Sequence, residues 1–99
     1  MMKLTAYQMY TLFVRGSSSY YRCIARLASM IPWTLEDQKK EELSALLYHF
    51  VAESDEARFG MAYSRFMADV QDRHGFGYEN LMEAFMAMEA KGYVWPEEA

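Results

Sequence analysis

Residues 34–54, TLEDQKKEELSALLYHFVAES, constrain the fold of the chain more than any other stretch. Leu43, Leu46, Leu47, Phe50 and Val51 recur at helical spacing with charged residues over much of the rest. That is the pattern of an amphipathic helix. The spacing predicts a helix from Thr34 to about Glu53. Thr34 is placed to cap it, with Asp37 three residues on. Glu36 and Asp37 would lie in the first turn, where exposed amide dipoles favour negative charge, and Glu36 stands four residues before Lys40. A helix with one apolar stripe needs other helices to cover that stripe. This one reads as a packing spine and carries no chemistry.

The remaining segments supply those neighbours. Residues 5–14 read as a short helix with Thr5 and Gln8 at capping-box spacing. Tyr10, Phe13 and Val14 form its expected buried face with Ala6, widened by Met9 and Leu12. A strand is the competing reading, because Tyr, Thr, Phe and Val favour strands, but strict alternation is missing and the reading stays helix. Gly16 supplies backbone freedom at the stop and a serine among Ser17–Ser19 caps the next helix, Tyr20 to Met30. Tyr20, Ile24, Leu27, Ala28 and Ile31 make its stripe, and Arg22, Arg26 and Ser29 line another face. Pro32 ends it, and Trp33 in the connection is expected to fold back onto the core.

Ser54-Asp55-Glu56 reads as a break, with Ser54 as cap, or as a mild bend. The next helix runs to about Arg73 on Phe59, Ala62, Tyr63, Phe66 and Val70, with Gly60 inside it either for close helix contact or as the mark of a late start. His74-Gly75-Phe76-Gly77 is the clearest break, and a last helix spans about Tyr78 to Lys91 with Tyr78, Leu81, Met82, Phe85 and Met88 inward. Gly92 stops it. An extended tail from about Tyr93 follows, in which Glu97-Glu98-Ala99 is expected to be solvent-facing and frayed. The expected fold is all-α: one compact domain, residues 1–99, of four to five short helices in an irregular bundle. The nine methionines suit an irregular core, with a Met-rich partner face as the alternative.

Function classes narrow by what is missing. Cys23 is the only cysteine, so an intramolecular disulfide framework is excluded. No segment approaches the roughly 18–20 apolar residues that span a bilayer, and a cytoplasmic protein is expected. The histidines, His49 and His74, lack metal-ligand spacing with Cys23, and the glycines at 75 and 77 lack the spacing and lysine of a phosphate loop. Cys23 and His49 match a nucleophile pair only in residue type. No catalytic, cofactor-binding or metal-binding residue is assigned.

Charge is the feature left over. Residues 1–33 hold Lys3, Arg15, Arg22 and Arg26 and no acid, whereas residues 34–99 hold fourteen acids against six bases. Either the acids of later helices neutralise these arginines, or the arginines face a partner. Arg15, Tyr21, Arg22 and Arg26 are the expected exposed contacts, with Trp33 and Trp95 as secondary candidates that also suit packing. The function expected is a small non-catalytic protein-binding module: an adaptor, a small subunit or an inhibitor of a larger protein, with homodimerisation on the same surface a further possibility. The alternative is a nucleic-acid-binding accessory protein using the basic N-terminal third. An acidic strip attracting a basic partner is a separate reading.

Overall fold

The computed structural model describes residues 2–74 and 80–97. Five α-helices appear there: α1 (Ala6–Arg15), α2 (Tyr20–Met30), α3 (Asp37–Glu53), α4 (Glu56–His74) and α5 (Leu81–Ala90), with one 3-10 turn at Ile31–Trp33. The fold is all-α, a small helical bundle.

α1 forms because Thr5 and Gln8 make a reciprocal capping box: the Gln8 amide donates to Thr5 Oγ1 at 3.1 Å, and the Thr5 amide donates to Gln8 Oε1 at 2.9 Å. Those bonds select helix over strand. Its buried face, however, is Ala6, Gln8, Met9, Thr11 and Leu12, while Tyr10 and Val14 are exposed. The expected Tyr10/Phe13/Val14 face is therefore rotated. α1 is wedged against both α3 and α5, and its apolar residues surround so much of the helix that spacing alone could not choose the inward side. The buried Gln8 is satisfied at both ends, since its Nε2 donates to the Glu42 carbonyl at 2.8 Å. α1 has no acid in its first turn. Two carboxylates from elsewhere fill that position: Glu42 of α3 accepts from the Thr5 hydroxyl, and Glu89 of α5 accepts from the Ala6 amide. Negative charge at a helix N-terminus is stabilising.

α2 is capped by Ser19 and runs over the expected residues. Pro32 does not simply end it, but tightens the chain into the 3-10 turn. Thr34 closes that turn, its amide donating to the Ile31 carbonyl at 3.2 Å and its hydroxyl to the Met30 carbonyl at 2.9 Å. Thr34 is thus spent on the preceding element and does not cap α3, which starts at Asp37 with Glu36 in the cap position and no side-chain cap bond. Glu36 pairs with Lys39 at 3.1 Å rather than with Lys40. Ile31 packs against the core, but Trp33 is 85% exposed and Leu35 94% exposed. The expectation that Trp33 folds inward is corrected, because the turn spends its one inward position on Ile31.

α3 buries Leu43, Leu46 and Phe50, with Leu47 half-buried, whereas Val51 is exposed. The chain breaks at residues 54–55, where Asp55 rather than Ser54 caps α4: its Oδ1 accepts from the Arg58 amide at 2.8 Å. Phe59, Ala62, Tyr63, Phe66 and Val70 of α4 are all buried, as their spacing implies. Gly60 lies within α4, yet among the described residues nothing stands within 4 Å of where its Cβ would be. It serves neither close packing nor a late helix start. Gly60→Ala is expected to raise stability by about 0.5–1 kcal/mol, seen as a higher urea midpoint at unchanged slope; a lower midpoint would contradict the open space.

α5 buries Leu81, Phe85 and Met88 and leaves Met82 and Met86 exposed. The inward placement of Met82 is thus corrected. The expectations for Gly75, Phe76, Gly77, Tyr78, Glu98 and Ala99 lie outside the described residues. Gly92, at φ +74°, ends α5 in a left-handed conformation, with Tyr93 N–H donating to the Met88 carbonyl and Gly92 N–H to the Glu89 carbonyl. Those two bonds make a Schellman stop. The chain then turns back along its own beginning. Leu4 N–H donates to the Tyr93 carbonyl at 3.0 Å, Trp95 N–H donates to the Met2 carbonyl at 2.8 Å, and Lys3 and Val94 form an antiparallel bridge. This pairing carries Trp95 into the centre of the bundle.

Candidate partner-binding surface

The outward side of α2 is built from its first turn. Tyr20 and Tyr21 are adjacent, so they point apart. Tyr20 turns inward and donates its hydroxyl to the Phe50 carbonyl at 2.6 Å, while Tyr21 is 67% exposed with its ring 5.2 Å from that of Tyr20. Tyr21, Ala25, Ala28 and Pro32 follow at helical spacing and are all exposed. Arg22 and Arg26 run beside them one turn apart, and Trp33 stands at the far end. At about 1.5 Å per residue the strip is about 16 Å long.

Arg26 is held in place by the end of α1. Its Nη1 donates to the Arg15 carbonyl at 3.3 Å and to the Gly16 carbonyl at 3.0 Å. These are carbonyls that a helix end leaves without intrahelical partners, and a cation suits that negative end. Gly16 permits this geometry by lacking a side chain, since its Cβ would fall 2.2 Å from the Leu12 carbonyl oxygen. Its φ of −74° shows that left-handed freedom is not what it supplies. Val14, Arg15, Arg26, Ser29 and Met30 line a hollow of about 340 Å³ beside this junction. Among the described residues, no carboxylate pairs with Arg15, Arg22 or Arg26; the ion pairs join other residues. Neutralisation by direct pairing with later acids is therefore absent there.

The structure brings Arg15 and Arg26 together and places Arg22 and Tyr21 on the same helix, with Trp33 exposed at its end. It removes Trp95 from this group. Trp95 is 2% exposed, with its ring 5.3 Å from Phe50, 5.9 Å from Phe59 and 5.8 Å from Phe66. A side chain at the centre of an aromatic core offers no contact surface.

The groups considered for chemistry have other partners. Cys23 is fully buried, and burial pushes its thiol up despite the opposing effect of the Ser17 backbone and of Arg26. A protonated thiol is a poor nucleophile. His49 is engaged on both sides: Nδ1 lies 3.1 Å from Glu53 Oε2, and Nε2 lies 2.7 Å from Glu97 Oε2. Arg58 Nε lies 3.4 Å from the other oxygen of Glu97, and Arg58 Nη1 donates to the Glu53 carbonyl at 3.2 Å. The Glu97 side chain is only 6% exposed, which overturns its reading as part of a frayed end. No sequence signal pointed to this cluster, because its members come from α3, α4 and a tail 48 residues from His49. Asp69 of α4 accepts from the Tyr93 hydroxyl at 2.7 Å. Burial, then that bond, push the Tyr93 phenol well above its ordinary value.

Among the described residues, no group of three or more His, Cys, Asp and Glu side chains is arranged to hold a metal ion, and no helix is long and apolar enough to cross a membrane. No protein-family model, no curated protein and no solved structure matches the chain.

Proposed function

We propose that this chain is a small non-catalytic protein-binding module. It works in the cytoplasm as an adaptor, small subunit or inhibitor of a larger protein. Its contact face is the outward side of α2 with Arg15 and Trp33. The observation that carries this reading is the juxtaposition of exposed Tyr21 and Trp33 with three arginines that no described carboxylate neutralises. Arg, Tyr and Trp join large apolar area to directed donors, and they dominate binding energy where they occur in interfaces. A lone buried thiol suits a reducing compartment.

Protein is favoured over nucleic acid by charge arithmetic. Three arginines release few counterions from a phosphate backbone, and the chain carries net −4. The test is capture from host extract by wild type and by a Tyr21→Ala/Arg22→Glu variant whose melting profile matches wild type. Both positions are exposed, so the variant is expected to fold. A stoichiometric partner is expected to lose about tenfold or more in affinity, the size of loss typical of truncating a hot spot. Equal capture by both proteins would remove the face from the proposal, and capture abolished by nuclease would transfer it to the nucleic-acid reading.

A further inference from the structure

We propose that the hollow between the end of α1 and the last turns of α2 is a carboxylate-binding pocket, in which the Nε–Nη2 edge of Arg26 receives a Glu or Asp side chain from an acidic segment of the protein partner. The inference rests on the protein-binding reading and names the chemistry of the partner.

A guanidinium has five N–H donors in a rigid plane. In Arg26 the Nη1 corner is fixed by the Arg15 and Gly16 carbonyls at 3.3 and 3.0 Å, and no other hydrogen bond to its guanidinium occurs among the described residues. Fixing that corner sets the plane and leaves the Nε–Nη2 edge, which can bond both oxygens of one carboxylate. The immobilisation that a flexible arginine would otherwise undergo on binding is already met by the fold. Arg15 lines the same hollow and adds a second positive charge. Residues 1–33 contain no acid, so the surrounding segment supplies no internal competitor.

The lining also discriminates between anions. Ser29 lines the hollow but donates its hydroxyl proton to the Arg26 carbonyl at 2.9 Å, so it faces a ligand as an acceptor. The carbonyls ending α1 carry partial negative charge beside it. A phosphate dianion with three oxygens to satisfy fits these neighbours poorly, whereas a planar monoanion fits the open edge. Val14 and Met30 form an apolar wall against which the methylenes of a glutamate can lie.

The test follows the Arg26 side-chain Nε–H signal by NMR in the full chain. The probes are the peptide acetyl-Leu-Glu-Glu-Leu-Glu-amide, its all-glutamine counterpart and inorganic phosphate. A saturable shift with the glutamate peptide alone is expected. Arg26→Lys, which keeps charge but not the fork, and Arg15→Gln, which leaves the capping guanidinium in place, are each expected to weaken that peptide about fivefold or more, read for both variants from backbone amide shifts, with unchanged melting profiles. Equal response to phosphate or to the glutamine peptide overturns the carboxylate assignment. If Tyr21→Ala abolishes capture of a protein partner while Arg26→Lys and Arg15→Gln leave both capture and peptide affinity unchanged, the pocket falls and the binding face stands. If the peptide binds as expected but no protein is captured by any form, the pocket stands and the protein-module reading falls.

Discussion

Trp95→Ala should destabilise the protein by about 3–5 kcal/mol, the largest effect expected of any substitution considered. The indole is fully enclosed by Phe50, Phe59 and Phe66, which belong to α3 and α4. Removing it opens a cavity among rings that themselves pack edge to face, with Phe50 and Phe59 at 5.0 Å. A domain of this size has about 5–15 kcal/mol to lose, so the variant should sit near the threshold of folding. Its melting temperature should fall by about 12 °C or more. Trp95→Phe should be much milder. Among the described residues the buried Trp95 indole N–H has no hydrogen-bond partner, so a phenyl ring gives up some volume but removes an unsatisfied donor. Urea unfolding followed by circular dichroism checks both variants. A loss under about 1 kcal/mol for Trp95→Ala would mean that the tail does not fill the core.

His49→Ala should have the next largest effect, a loss of about 2–3 kcal/mol. Removing the hydrogen-bond partner of a buried polar group costs about 1–3 kcal/mol, and more when the group left behind is charged, as a carboxylate is. The figure is reduced here because Arg58 is 43% exposed and still faces Glu97. Both imidazole nitrogens point at carboxylate oxygens, which only accept. A ring protonated on both nitrogens donates to both, and a neutral ring to one. Glu97→Gln alone should cost less, because the groups it leaves behind reach water more easily. The double variant should fall short of the summed losses by about 1 kcal/mol or more, the mark of a direct contact. Additive losses in that cycle would show that the tail is not clasped through this pair.

Much of the local structure was legible in the residues. α2 spans the segment set out by the serines at 17–19 and by Pro32, the Thr5–Gln8 box forms as its spacing requires, and the five apolar positions of α4 all face inward. Each depends on groups within a turn or two of one another. The failures share one cause. Thr34 was a reasonable cap for α3 until the 3-10 turn claimed its amide and hydroxyl. The face of α1 was ambiguous until α3 and α5 enclosed it. Of the candidate contacts, the arginines were visible through the absence of acids in the first third. That they remain without a described carboxylate partner depends on where the later acids went: Glu42 to the Thr5 hydroxyl and Glu89 to the Ala6 amide at the start of α1, Glu97 to His49 and Arg58.

The sequence by itself determined the helical class, most of the element boundaries and the charge asymmetry between the first third and the remainder. These follow from short-range periodicity, capping and composition. Only the tertiary structure decided which tryptophan is core and which is surface. The two differ little in local chemistry, each lying beside a proline. Trp95 is drawn inside because the backbone after Gly92 pairs with Met2 and Leu4 at the opposite end of the chain. Trp33 is held outside because its own turn packs the half-buried Ile31 against the core instead. That outcome rests on hydrogen bonds between residues about ninety positions apart, which no local pattern encodes.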